Sequence, residues 1–141
     1  MQNNKIRIIV DVNILISFLL RKDITSKFKK VLEDTRFEIL SCCELHDELK
    51  NVLARPKFDK YISTLDIEYF MQLFSLATKI VEISSTICIS PDINDNYLLA
   101  LAKDGKAKYL ITGDKKHLLA IKRFENTEII SFSQFYALFF S

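Results

Sequence analysis

The stretch IRIIVDVN, residues 6–13, decides the fold. Ile6, Ile8, Ile9 and Val10 are β-branched, and only Arg7 interrupts them. Such a short, nearly unbroken apolar run reads as a strand buried on both faces of a parallel sheet. The run stops on two short polar groups, Asp11 and Asn13. In an open α/β sheet, ligands sit outside the carboxyl ends of the strands. Asp11 is therefore either a site residue or the N-cap of the following helix. The choice depends on whether other strands also end in acids.

Working outward, residues 14–20 (ILISFLL) read as a buried helix or a hydrophobic strand exit, and 21–23 as a polar break. Thr25 or Ser26 is expected to cap a helix running to about Asp34, with Phe28, Val31 and Leu32 on one face. Residues 37–40 (FEIL) read as a second strand. Ser41 is the expected cap of a helix reaching about Ala54, with Leu45, Leu49, Val52 and Leu53 as its core stripe. Glu48 borders that stripe, where a carboxylate can enter a cleft. His46 has no second histidine near it and reads as a surface or border residue, not a metal ligand. Arg55-Pro56 ends the helix. Residues 66–78 form a further helix through Ile67, Phe70, Met71, Phe74 and Ala77, and 80–83 (IVEI) a third strand.

The segment from Ser90 to Leu119 is the next most informative. Asp95 falls in the first turn of a helix with stripe Leu98, Leu99, Leu101 and Ala102, and Gly105 is its expected C-cap. Residues 108–112 (KYLIT) read as a buried strand ending on Gly113-Asp114. A short helix (115–121), a last strand (128–130) and a final aromatic helix (133–140) follow. Strands alternating with helices argue for a three-layer α/β/α sandwich on a mainly parallel sheet.

The chain has 141 residues, and 49% of them are hydrophobic, enough to bury a core. With 2 Gly, 2 Pro, no linker, no repeat and no low-complexity tract, 1–141 reads as one domain. A net charge of +2 says nothing by itself about nucleic acid. Cys42, Cys43 and Cys88 lack ligand spacing and read as core or near-core thiols of a reducing cytosol. No targeting segment is legible, and the longest clean apolar run is far too short to span a bilayer. The expectation is a cytoplasmic protein with no membrane partner.

In a parallel sheet, Asp11 and Asp114 at strand ends converge with Glu48 and with Asp92 or Asp95 at helix starts. Converging carboxylates repel unless a cation neutralises them. Hard oxygen donors suit Mg²⁺ or Mn²⁺, ions that support phosphoryl-transfer chemistry. Asn13 and Thr112 are expected to orient ligands or water beside them.

DVN at the first strand end, ELHDELKNVLARPKF, PDINDNYLLALA and YLITGD together resemble the PIN domain family of metal-dependent ribonucleases. The closest likeness is to the branch of toxins from toxin–antitoxin pairs. The resemblance spans about residues 6–135. It implies catalytic and metal-binding roles for Asp11, Glu48, Asp95 and Asp114, with Asn13, Thr112 and Asp92 in support. Where the family commonly carries a hydroxyl residue, this chain has Val12. The resemblance further implies Mg²⁺ or Mn²⁺ as cofactor, RNA as substrate and an antitoxin protein as partner. Lys115, Lys116 and Arg55 are the expected phosphate contacts. The aromatic C-terminus is the expected face of a homodimer.

Other enzyme classes fit less well. A haloacid-dehalogenase-type phosphatase needs an acid where Asn13 stands. A response-regulator receiver needs paired acids before its phosphoacceptor. Nucleotide binding through a Gly-rich loop is disfavoured, because no such loop exists. The alternative to an enzyme is an RNA-binding or protein-interaction module on the same fold.

Overall fold

The structure, a computed structural model, describes residues 5–90, 93–114 and 116–140, without the side chains of Lys22, Ile93 and Asn94. Strand β1 (Ile6–Val10) holds the middle of a six-stranded sheet. Its neighbours are β2 (Phe37–Ser41) and β4 (Tyr109–Ile111), both parallel to it. Beyond them lie β3 (Thr78–Ile80) on one side and β6 (Thr127–Ile130) on the other, and β5 (Arg123–Phe124) closes the edge. Only the β5–β6 pair is antiparallel. The apolar run of β1 is buried as its composition demands, with Ile8, Ile9 and Val10 essentially inaccessible.

Seven helices flank the sheet among the described residues: α1 (Val12–Leu20), α2 (Lys22–Glu33), α3 (Cys43–Leu53), α4 (Thr64–Ala77), α5 (Ile93–Gly105), α6 (Leu118–Ile121) and α7 (Phe132–Phe140). The chain steps from β1 to β2 to β3 in one direction, then jumps back to β4 and on to β6. Right-handed crossovers therefore place α1–α4 on one face and α5 and α6 on the other, giving the three-layer α/β/α sandwich. Helix α7 joins the first layer, where Phe132 meets Phe18 edge-on at 5.0 Å. No helix among the described residues is long and apolar enough to cross a membrane.

Several local expectations need correction. Helix α2 begins at Lys22, not at Thr25 or Ser26. The Thr25 hydroxyl instead donates back to the carbonyls of Arg21 (2.9 Å) and Phe18, tying α2 to the end of α1. Ser41 is the last residue of β2, and Cys42 takes the cap position of α3. Strand β3 lies at Thr78–Ile80 rather than 80–83, because α4 runs directly into it. The β5–β6 hairpin went unread; its turn is made by Glu125 at φ 52, with no Asn-Gly signal in the sequence.

Gly105 is not left-handed. Lys106 takes that role at φ 55. Gly105 is needed for close approach: a Cβ there would lie 2.6 Å from Leu40 Cδ1. Its carbonyl accepts from the Arg7 guanidinium at 3.2 Å, and Arg7 also pairs with Glu38 across β1–β2. The one charge inside the β1 run thus closes an open helix end.

Of the three cysteines only Cys42 is buried; Cys43 and Cys88 are exposed. The aromatic C-terminus is largely consumed within the chain. Phe37 of β2 meets Phe135, Phe139 and Phe140 at 5.2, 5.0 and 6.1 Å between ring centroids. Helix α4 carries the most exposed apolar side chains, with Leu65 76% and Leu76 86% exposed beside Tyr69 and Leu73, and Leu138 of α7 is exposed as well.

Candidate functional site

The carboxyl ends of β1 and β4 face one another because the strands pair in register, Val10 against Ile111. One residue further on, Asp11 donates its backbone N–H to the Ile111 carbonyl at 2.9 Å. Asp11 holds the N-cap position of α1, but its side chain makes no capping hydrogen bond. Its carboxylate instead accepts from the Thr112 hydroxyl at 2.7 Å. Asp11 is thus a cap by place whose side chain is turned to β4 instead of to the helix.

Asp11 is 6% exposed. Burial pushes its carboxyl above the usual carboxylate range. The Thr112 hydroxyl opposes the rise, the Glu48 carboxylate adds to it, and the backbone N–H groups of Asn13 and Val12 oppose it.

Thr112 carries the connection onward. Its oxygen accepts the backbone N–H of Asp114 at 3.1 Å. Burial works to raise the Asp114 carboxyl. A hydrogen bond with Asp95, the backbone N–H of His117 and the His117 ring outweigh it, so the group sits below its ordinary value. Asp95 and Asp114 therefore lie close enough to act on each other. Asp95, in the first turn of α5, is 7% exposed and accepts from Ser90 Oγ at 3.3 Å. Ser90 is itself held by Asn96, whose amide clasps its backbone N–H and carbonyl at 2.9 and 3.0 Å.

Glu48, half-buried midway along α3, reaches the same place from the other side of β1. It accepts a short hydrogen bond from the Tyr97 hydroxyl. Burial first, and then Glu48, push the Tyr97 hydroxyl well up. Tyr97 is not among the residues the sequence singles out. The signal lay in its spacing, two residues past Asp95 and off the leucine face.

All four predicted acids therefore meet at the carboxyl edge, in two pairs: Asp11 with Glu48, and Asp95 with Asp114. Among the described residues no group of three or more His, Cys, Asp or Glu side chains stands set to hold an ion as it is. Thr112 lies against the Asp11 carboxylate, while the Asn13 side chain is exposed and its carbonyl accepts from Ser17 Oγ at 3.0 Å. Asp92 and Lys115 lie outside the described residues. Lys116 is exposed in the turn after Asp114. Arg55 is exposed, two residues past the end of α3 and seven past Glu48. His46, half-buried against Phe74 at 5.1 Å, has its Nε2 buried without a partner and its pKa lowered by burial. It belongs to packing.

A mainly parallel three-layer sandwich with acids gathered at the carboxyl edge defines a class of α/β proteins whose chemistry sits at the strand ends. The sequence profile of the PIN domain family matches residues 7–116, a span holding all four acids, and the chain belongs to that family. In fold it resembles a chain of VapBC2 from Rickettsia felis, whose crystal structure is bound to a DNA fragment from their promoter. The TM-score is 0.59 over 88% of this chain and 97% of that one, at 14% identity. No curated protein matches.

Proposed function

We propose that this chain is a divalent-metal-dependent endoribonuclease and the toxin of a toxin–antitoxin pair. The observation that carries the reading is that Thr112 bonds both the Asp11 carboxylate and the Asp114 backbone N–H across the ends of β1 and β4, with Glu48 close enough to act on Asp11 and Asp95 on Asp114. Membership of the PIN domain family and the likeness to VapBC2 support it.

The donor set fits a hard cation. Every group is a carboxylate or hydroxyl oxygen. Asp11 is buried close to the Glu48 carboxylate, a costly arrangement that Mg²⁺ or Mn²⁺ would relieve. Asp11, Asp95 and Asp114 would hold the ion, with Glu48 completing the set. When bound, such an ion lets water attack the phosphodiester and steadies the departing oxygen. The chain's own part is positioning. Thr112 fixes the Asp11 carboxylate and the Asp114 backbone together. Tyr97 holds Glu48. Ser90, braced by Asn96, holds Asp95. Lys115 and Lys116, just past Asp114, and Arg55 are the proposed phosphate contacts, Arg55 with the least support from its position.

The partners of this reading are RNA, an antitoxin and a second copy of the chain, in the cytoplasm. The apolar residues on α4 support a protein partner, since exposed patches of this kind mark interaction surfaces. Sedimentation that stays monomeric at high concentration would remove the homodimer.

The test is cleavage of a mixed single-stranded and structured RNA pool with Mn²⁺, with Mg²⁺ and with chelator, beside an Asp95→Asn variant. Metal-dependent cutting that the variant lacks is expected. Metal-dependent RNA binding without cutting would favour the second reading, a non-catalytic module; the separation of the acids into two pairs speaks for that one.

A further inference from the structure

The amino ends of the strands, opposite the acids, carry a cleft of the reverse charge. A cavity of about 680 Å³ opens between the end of α5, the start of β4 and the β5–β6 hairpin. Its floor, Ala102, Ala107 and Thr127, is buried and tied together. Ala107 donates its N–H to the Ala102 carbonyl at 3.0 Å, and the Thr127 hydroxyl donates to the Ala107 carbonyl at 2.7 Å. Three exposed lysines stand around that floor: Lys103, Lys106 and Lys108. None of them forms an ion pair among the described residues. Asp104, the acid that Lys103 acts on, spends its carboxylate on the backbone N–H groups of Ser84 and Ser85 and on the Ser85 hydroxyl. Glu125 is the one acid on the wall.

We propose that this cleft binds linked phosphates, held by Lys103, Lys106 and Lys108. The ligand is a run of two or three phosphates, either free or within the backbone of an RNA strand. The inference does not rest on the ribonuclease reading. The volume falls among pockets that enclose small ligands, about 300–1,000 Å³, and no aromatic or large apolar side chain lines it to seat a base. An ammonium is a compact point charge that meets phosphate oxygens from any direction, whereas a carboxylate is best met by the planar fork of arginine. The one arginine on the wall, Arg123, is engaged: it donates to the Glu125 carbonyl at 3.1 Å and lies 3.9 Å from Glu128. The backbone adds a second sign. Three non-glycine residues among those described have positive φ; Lys106 and Glu125 line this cleft, and Lys122 adjoins it. Costly backbone of this kind collects where it aims a functional side chain.

The experiment is isothermal titration calorimetry of the full chain with inorganic triphosphate, in chelator and at low salt. Binding of one triphosphate per chain is expected. Lys106→Asn, which suits a left-handed backbone, and Lys108→Gln are each expected to weaken it about 2- to 5-fold, the range for one exposed charge contact. Lys29→Ala and Lys30→Ala, on α2, each remove one charge away from the cleft and should change nothing. Thermal melts without ligand show that each variant folds. A labelled single-stranded RNA, titrated in chelator, then separates the two sources. RNA affinity that falls in the cleft variants, with triphosphate competing, assigns the cleft to an RNA backbone. Unchanged RNA affinity beside weakened triphosphate binding assigns it to a free oligophosphate.

Equal losses in the α2 variants and the cleft variants would make the attraction a diffuse charge effect and overturn the proposal. No binding of triphosphate by the parent chain would overturn it too. So would a tetraglutamate peptide that binds as tightly as triphosphate, since the cleft would then read charge and not phosphate.

Discussion

Replacing Asp11 by Asn should make the metal-free protein more stable while abolishing cleavage. Asp11 is buried, and its carboxyl is pushed up by burial and by Glu48. An ionised carboxylate at such a site costs several kcal/mol, about 1.5–3 kcal/mol of which the charge-assisted bond from Thr112 recovers. An amide of the same shape keeps a neutral version of that bond, worth about 0.5–1.5 kcal/mol, and removes the charge. The net gain is about 1–3 kcal/mol, or roughly 2–10 °C in Tm for a chain of this size.

The sign with pH follows from the direction of the shift. A carboxyl raised in the folded state adds stability below its unfolded value and loses it as pH rises through the folded one. The advantage of Asp11→Asn should thus be largest near neutral pH and close as the solution is acidified toward the ordinary value of 3.8. Mn²⁺ should reverse the ranking. At a hundredfold excess over Kd it adds about 2.7 kcal/mol to the parent and little to the variant. Differential scanning fluorimetry against pH, with and without Mn²⁺, measures both. A variant that melts lower than the parent at neutral pH without metal would refute the claim that Asp11 carries an unrelieved charge.

Further outcomes follow from other contacts. Tyr97→Phe removes the hydroxyl that holds Glu48 and should lower kcat for RNA cleavage about tenfold with little change in KM, since one hydrogen bond to a charged group is worth about 1.5–3 kcal/mol. Gly105→Ala should destabilise by about 1–3 kcal/mol in a urea titration, although helix propensity alone predicts a gain, because the new methyl meets the buried Leu40 side chain. Phe135→Ala empties the centre of the Phe37–Tyr109–Phe139 cluster and should cost about 3–5 kcal/mol by the same measurement. Thiol labelling of the native protein should show two fast groups, Cys43 and Cys88. The third, Cys42, is buried with its thiol pushed up to about 12 and should react only on unfolding.

What the sequence made legible divides along physical lines. The β1 and β4 runs were readable because a strand covered on both faces must be apolar throughout, and their terminal acids then stood out. The stripe of α3 located Glu48 by its offset from Leu45 and Leu49. Tyr97 was not legible, since its hydroxyl matters only through Glu48, forty-nine residues away in sequence. Helix ends were misplaced wherever the cap was not a side chain: Cys42 and Arg21 hold cap positions without a capping bond. The C-terminal aromatics were read as a surplus because their partner, Phe37, lies on a distant strand. The surplus proved to be on α4, whose periodicity announces a core stripe but not how little of the helix is covered.

The central place of β1 also fixes when this protein becomes able to act. The first strand pairs early with β2, but its other edge stays open until β4 arrives about a hundred residues later. The bond from Thr112 to Asp11 spans 101 positions. A chain still being synthesised therefore carries Asp11 and Glu48 through 47 further residues before Asp95 is added and 66 before Asp114. Long-range pairing of this kind is completed late. For a protein whose proposed target is RNA, emerging from a machine built on RNA, the two halves of the proposed site stay apart until Asp114 has been added.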